Sequence, residues 1–210
     1  PSKQTATARK GRDKDQEAAQ DAPEERQPQR VWRTPGFLEK TRDGRAYGNA
    51  MHRAMQYLHF EACGDKKSVR QEIDRLVAEE FLTEEEGKLV NCTQIARFFE
   101  SDIGWKLRLG GQLLREFKFS ILDDGRHYGA GLEGEQVLLQ GVVDCAIVEE
   151  DGITVLDFKT DRVTPDTLPQ AVDRYRTQVQ TYKEALARIY EKKVKKALLY
   201  FFHLDQFVEL

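Results

Sequence analysis

The chain has 210 residues, with 33 Lys and Arg against 36 Asp and Glu, and a formal net charge of -3. That length suits one domain with a real core, and the balanced charge means that any nucleic-acid-binding track must be local. No apolar run approaches the ~18 residues of a membrane span. Three scattered cysteines without a CxxC pair argue against a zinc knuckle, an iron–sulfur cluster or a disulfide framework, and favour a reducing, cytoplasmic setting.

Residues 1–30 are polar throughout, with no aromatic and almost no large aliphatic side chain. Such a segment buries too little apolar surface to offset the entropy of ordering it. We therefore expect a disordered linker over residues 1–30 and a folded domain over residues 31–210. Because the sequence begins with Pro1 in the middle of linker-like composition, we expect it to be a fragment of a longer chain.

Helical spacing dominates the first part of the domain. A helix is predicted from Tyr47, where YGNAMHRAMQYLHF places its apolar residues on one side. A second is predicted over residues 68–81, and Thr83 followed by Glu86 is a capping-box signature for a third. TQIARFFES, from Thr93, predicts a fourth helix.

Strand-like segments follow and are interrupted by one long helix. Residues 113–122 alternate in the manner of a strand, residues 123–134 form a Gly-rich loop, and residues 137–161 read as a hairpin. An apolar stripe predicts a helix over residues 169–192, and KKALLYFFHL supplies a further strand. This order predicts an α/β fold, with a mixed β-sheet flanked by helices and a helical portion at the N-terminus. No Walker A motif is present, so no ATP site is expected here.

Three charges interrupt the apolar hairpin: Asp144 on the first strand, and Asp157 and Lys159 on the second. A two-residue turn would put Asp144 opposite Lys159, and a four-residue loop would put Asp144 opposite Asp157. Both registers send the three charges to one face, because side chains alternate with period two. The other face is predicted to receive Val143, Cys145, Ile147, Leu156 and Phe158.

Two interpretations of these charges are open. The simpler one is a structural ion pair or a solvent-facing sheet surface. The sharper one is a metal site, since two adjacent carboxylates repel each other unless a divalent cation lies between them, and magnesium prefers oxygen ligands. A lysine beside such a cation can contact a phosphate or a water molecule. That equipment suits phosphodiester hydrolysis.

These residues resemble the D…(D/E)xK signature of the PD-(D/E)xK nuclease superfamily, with Asp144 followed by Asp157, Phe158 and Lys159. GVVDC, LDFKTDR and the QxxxY pair of Gln178 and Tyr182 follow one another as in its RecB-type branch. GNAMH and LREFKF place His52 and Glu116 at two further motif positions of that branch. FKTDRVTP and DRYRTQVQTYKEAL are most similar to the C-terminal nuclease domain of AddA-type helicase/nucleases. The resemblance implies a restriction-endonuclease-like core.

The resemblance also implies roles for these residues. Asp144, Asp157, the backbone carbonyl of Phe158 and His52 are the expected metal ligands, for Mg2+ or, given the imidazole, Mn2+. Lys159 is the expected partner of the attacking water and of the phosphoryl oxygen.

Three further residues are expected to assist. Gln178 and Tyr182 lie four residues apart on one helical face, and are expected to orient Lys159, the water or the DNA backbone. Glu116 is expected to bind metal through water or to pair with a basic residue.

For the whole protein the resemblance implies an exonuclease domain that receives single-stranded DNA from a helicase motor on the same parent chain. It further implies a second nuclease chain of the AddB type and a role in double-strand-break repair. One alternative is a catalytically inactive nuclease fold kept as a DNA-binding or subunit-docking scaffold, although such domains usually lose an acid or the lysine. Another is a stand-alone endonuclease of the restriction or Holliday-junction type.

Overall fold

The computed structural model describes residues 2–5, 36–124, 126 and 134–210, with side chains from residue 44 onward. Its helices are α1 (Gly36–Tyr57), α2 (Lys66–Ala78), α3 (Glu84–Leu89), α4 (Cys92–Glu100), α5 (Asp102–Arg108) and α6 (Leu168–Tyr190). Its strands are β1 (Ser2–Thr5), β2 (Gln112–Asp124), β3 (Gln136–Glu149), β4 (Gly152–Lys159), β5 (Val194–Phe201) and β6 (Gln206–Glu209). Among these helices, none has both the length and the apolarity to cross a bilayer.

Local capping explains where the short helices begin. The Thr83 side chain accepts from the backbone N–H of Glu86, and the Glu86 carboxylate accepts from the N–H of Thr83, so the predicted capping box is confirmed. Asp65 and Ser68 form a second box at the start of α2. Helix α5 was not predicted, although its N-cap is an ordinary one: the Ser101 hydroxyl accepts from the N–H of Gly104.

The sheet is mixed, as predicted, and is organised around β3. Strand β2 runs antiparallel along one edge of β3, and β4 runs antiparallel along the C-terminal part of the other edge. Strands β4 and β5 are parallel, with α6 as the crossover between them, and β6 closes the sheet antiparallel to β5. This architecture confirms the predicted α/β class with flanking helices.

Each face of the sheet packs against its own helical layer. Helices α1 to α5 cover one face, where Phe98 packs edge-on against Phe158 of β4 with 5.3 Å between ring centroids. Helix α6 covers the other face through a buried stripe that includes Val179, Tyr182 and Leu186. Both faces are therefore largely dry, which is why a charged side chain on β4 cannot reach bulk water and must find partners inside the protein.

The expected linker over residues 1–30 lies outside the described residues except at Ser2–Thr5. These four residues form β1, which pairs in parallel with Val137–Gln140 of β3, on the edge that β4 leaves open. The difference from the expected disorder has a simple physical reason: an exposed sheet edge is paired by main-chain groups, so composition does not reveal it. Most of the Gly-rich loop expected over residues 123–134 also lies outside the described residues.

Candidate active site

The site forms where β3 and β4 separate. Val148 pairs with Ile153, which is the four-residue-loop register, and the ladder ends at the pair Cys145–Leu156. One residue beyond that pair the strands diverge, and the backbone N–H of Phe158 donates to Asp144 Oδ2 over 2.8 Å. Because the Phe158 ring is anchored in the core, this hydrogen bond fixes the Asp144 carboxylate beside the backbone that carries the other two charges.

Glu116 disturbs the neighbouring β2–β3 ladder. The pairs Arg115–Cys145 and Phe117–Val143 place Glu116 opposite Asp144. The φ angle of Glu116 is +47°, a left-handed conformation that costs a non-glycine residue roughly 1–3 kcal/mol. Strain of this kind persists only where the surrounding structure holds it, and it here brings two carboxylates face to face across the strands.

The alternation of side chains reverses at this strained pair. Leu114 and Phe117, three residues apart, both pack on the α6 side, and so do Ala146 and Val143. Cys145, Ile147, Leu156 and Phe158 pack against the N-terminal helices, as predicted. The prediction that Val143 would join them was wrong, because strict period-two alternation does not hold through a left-handed residue.

Helix α1 delivers the histidine to the site. His52 Nδ1 lies 3.4 Å from Asp144 Oδ2, and 32% of the His52 side chain is exposed. One turn earlier, a Cβ at Gly48 would lie 3.0 Å from the Thr160 hydroxyl oxygen, so glycine lets the helix approach the end of β4 closely. The GNAMH motif thus combines a close-approach residue with a polar side chain that reaches the carboxylate.

Lys159 and Asp157 form a buried pair on the α6 side of β4. Lys159 Nζ lies 2.7 Å from Asp157 Oδ2, with the two side chains 10% and 2% exposed. The contact is close but poorly aligned for a hydrogen bond, so Asp157 Oδ2 is a buried oxygen without a hydrogen-bond donor. Leaving a buried charged oxygen in that state is costly unless another cation satisfies it.

Helix α6 supplies the surroundings of the lysine. Lys159 Nζ donates to Gln178 Oε1 over 3.3 Å, and Gln178 Nε2 donates to Tyr182 Oη over 2.6 Å. The ammonium also lies 3.7 Å from the centroid of the Tyr175 ring. Tyr182 is 3% exposed, so it acts on Lys159 through Gln178.

The carboxyl groups differ in their affinity for protons. Burial raises the pKa of Asp157 to about 6, with Asp144 adding to the shift and Lys159 opposing it. Burial and Asp144 likewise raise the pKa of Glu116. Burial acts to raise the pKa of Asp144 too, but the neighbouring His52 outweighs it and the net direction is downward. Burial lowers and Asp144 raises the pKa of His52, and the carboxylate prevails.

The side chains fit a divalent cation. Ligand atoms of His52, Glu116 and Asp144 all lie within 4.8 Å of one another. Two carboxylates and an imidazole form a donor set suited to Mg2+ or Mn2+, and a cation would relieve the repulsion that raises the pKa of Glu116. The donor-free Oδ2 of Asp157 close by adds a second, independent sign of missing positive charge.

The residues singled out in the sequence therefore meet in one place, although not in the expected grouping. Glu116 stands with His52 and Asp144, whereas Asp157 falls outside that set and contacts Lys159. The ligand roles of Asp157 and of the Phe158 carbonyl stay predictions. Sequence reasoning missed Tyr175, which it assigned only to an apolar stripe. Its position three residues before Gln178, on the same helical face, was the available signal.

Comparison with known proteins agrees with this geometry. The profile of the PD-(D/E)XK nuclease superfamily matches residues 26–209. Proteins named as ATP-dependent helicase/nuclease subunits of the A type are similar to this chain: 36% identical over 182 residues in Alkaliphilus metalliredigens (strain QYMF), 34% over 183 in Alkaliphilus oremlandii (strain OhILAs) and 34% over 199 in Clostridium perfringens (strain 13 / Type A). The matches cover 84%, 85% and 87% of this chain respectively, but only 15% of each relative. With a profile that spans nearly the whole described fold, the chain belongs to the PD-(D/E)XK nuclease superfamily.

Proposed function

We propose that this chain is a divalent-metal-dependent deoxyribonuclease domain that hydrolyses phosphodiester bonds of single-stranded DNA. The observation that carries the proposal is the convergence of His52, Glu116 and Asp144 beside the buried Asp157–Lys159 pair. A structural ion pair would explain Asp157 and Lys159 alone. It would not explain why a strained glutamate and a histidine from another helix gather at the same point.

A division of labour follows from the contacts. His52, Glu116 and Asp144 would hold Mg2+ or Mn2+, which supplies polarisation of the phosphate and a more acidic water molecule. Lys159 projects three N–H donors, and the pair with Asp157 and Gln178 leaves it able to donate to a phosphoryl oxygen where negative charge develops. Asp157, whose pKa is raised by burial, holds the ammonium and is a further candidate ligand.

The wider assignment rests on the relatives. We propose that the domain works in the cytoplasm as the nuclease part of an ATP-dependent helicase–nuclease. In this assignment a motor on the parent chain feeds it single-stranded DNA as an exonuclease substrate. A second chain of the AddB type would complete the enzyme during double-strand-break repair. The relatives are named for an ATP-dependent helicase/nuclease and are much longer than this chain, and both facts support this arrangement.

End-labelled single-stranded and double-stranded DNA, incubated with Mg2+, Mn2+ or EDTA, test the proposal. We expect metal-dependent cleavage that EDTA abolishes and that Lys159→Ala reduces by about 100-fold or more, the size of a lost electrostatic contact to the transition state. Lys195→Ala is the matched control, because Lys195 pairs with Glu149 and Asp151 at the turn between β3 and β4, at the opposite end of β4. A chain that binds DNA but never cleaves it would support the scaffold alternative, and cleavage in EDTA would exclude a metal-dependent reaction.

A further inference from the structure

The ammonium of Lys159 sits at the end of a flexible side chain, and its direction has to be fixed for it to act on a phosphate. A lysine side chain carries about 2 kcal/mol of rotamer entropy, which is lost when the ammonium is held in one place. Asp157 and Gln178 contact the ammonium on two sides. Neither contact alone fixes the third side, since the Asp157 contact is poorly aligned.

The third side is the face of an aromatic ring. Lys159 Nζ lies 3.7 Å from the centroid of the Tyr175 ring, well inside the ~6 Å range of a cation–π contact. The ring is itself held in place, because the Tyr175 hydroxyl donates to both carboxylate oxygens of Asp161, at 2.9 and 2.8 Å. Asp161 follows Lys159 by two residues, so this hydrogen bond ties the end of β4 to α6.

A ring face and a carboxylate hold an ammonium in different ways. A second carboxylate would take N–H donors from the lysine and draw it away from the substrate. An aromatic face attracts the charge through its quadrupole while leaving the N–H donors available.

We propose that Tyr175, held by Asp161, is a positioning residue whose ring directs the Lys159 ammonium toward the phosphate that is hydrolysed. This inference rests on the proposed nuclease function. It assigns no contact with DNA to Tyr175 itself.

Three variants and one control separate this role from a merely structural one. Tyr175→Leu removes the ring, Tyr175→Phe keeps the ring but loses the hydroxyl, and Asp161→Ala keeps both but frees the ring. The control is Tyr190→Leu, on the same helix, where the ring packs against Phe117 at 6.0 Å. Wild type and variants are compared for kcat and KM on single-stranded DNA, with thermal unfolding as a check of folding.

We expect Tyr175→Leu to lower kcat by about tenfold with KM changed by less than about twofold, since a partly desolvated cation–π contact is lost. Tyr175→Phe should retain kcat within about threefold, and Asp161→Ala should fall between the two. Tyr190→Leu should leave kcat unchanged. A Leu variant with wild-type kcat, or a Phe variant as impaired as the Leu variant, would overturn the proposal.

A spectroscopic readout keeps the test independent of activity. In protein labelled with carbon-13 at the lysine ε-position, the ring should move the Lys159 ε-methylene proton signal upfield. That displacement should persist in Tyr175→Phe and disappear in Tyr175→Leu, with Lys159→Arg used to assign the signal. Absence of cleavage by wild type would refute the proposed function alone, whereas an undisplaced Lys159 signal in wild type would refute the positioning role.

Discussion

Replacing Asp157 with Asn distinguishes a carboxylate kept for catalysis from one kept as half of a structural ion pair. Asp157 is 1% exposed, and its Oδ2 lies beside Lys159 without a hydrogen-bond donor. Asparagine has nearly the same shape but carries no charge. In EDTA, where no cation can compensate the carboxylate, we expect the variant to be more stable than wild type at pH 7.5.

The size of the gain follows from the proton affinity of the buried acid. Burial raises the pKa of Asp157 from 3.8 to about 6, and a tenfold change in proton affinity corresponds to about 1.4 kcal/mol, so the ionised form costs the fold on the order of 2–3 kcal/mol. Loss of the Lys159 contact offsets about 1 kcal/mol of this. The expected net gain at pH 7.5 is about 1–2 kcal/mol, or roughly 2–8 °C in Tm for a domain of this size.

The pH dependence has a defined sign. Because the folded-state pKa lies above the unfolded value, the folded protein binds more protons between about pH 4 and pH 6, and the stability contributed by Asp157 falls as the pH rises through that window. The advantage of Asp157→Asn should therefore be present at pH 7.5 and absent at pH 4. Urea unfolding of both proteins at the two pH values measures it.

The opposite result would refute this reasoning. Removing one partner of a buried structural ion pair destabilises a protein by about 3–5 kcal/mol. A loss of that size in Asp157→Asn at pH 7.5 would assign Asp157 and Lys159 to the stability of the fold. The remaining ligand set would then have to account for any catalysis without Asp157.

Three other substitutions test separate parts of the structure. Glu116→Gly removes the strain of the left-handed residue, so Tm should hold or rise by about 1–3 °C while the affinity for Mn2+, measured by calorimetry, falls at least about tenfold; a fall in Tm would contradict the strain. Gly48→Val places a branched side chain against Thr160 and should destabilise the fold by about 1–3 kcal/mol and weaken Mn2+ binding, whereas unchanged Mn2+ affinity would show that this contact does not position α1. Burial acts to raise the pKa of Glu72, but the Arg75 guanidinium and a backbone N–H lower it overall, so Glu72→Gln should cost about 1–2 kcal/mol at pH 7. That difference should shrink as the pH falls below about 4, where wild-type Glu72 is protonated too; a difference independent of pH would refute the charge-based explanation.

Much of the fold was predictable because local signals agreed with the tertiary structure. The Thr83–Glu86 capping box fixed the start of α3, and period-two spacing placed Asp157 and Lys159 on the same face of β4 as Ile153 and Val155. The family resemblance added His52 and Glu116, which no periodicity argument would join to the hairpin. These contacts span different elements, so pattern alone does not reveal them.

The parts that sequence reasoning missed depend on backbone geometry or on partners distant in sequence. The reversal at Val143 arises from the φ angle of Glu116, and a glutamate in a strand gives no local sign of a left-handed conformation. The grouping of Glu116 with the ligands follows from the β2–β3 register. Tyr175 fits an apolar stripe equally well, and only the position of Asp161 shows that its hydroxyl and ring have polar partners.

The most direct test of the metal site is a crystal structure of the domain grown with Mn2+ and measured at the manganese absorption edge. We predict one strong anomalous peak within coordination distance, about 2.0–2.3 Å, of His52 and Asp144, with Glu116 coordinated directly or through water. No peak at this position, or a peak elsewhere while the crystallised protein still cleaves DNA in solution, would contradict the claim that these three side chains hold the catalytic cation.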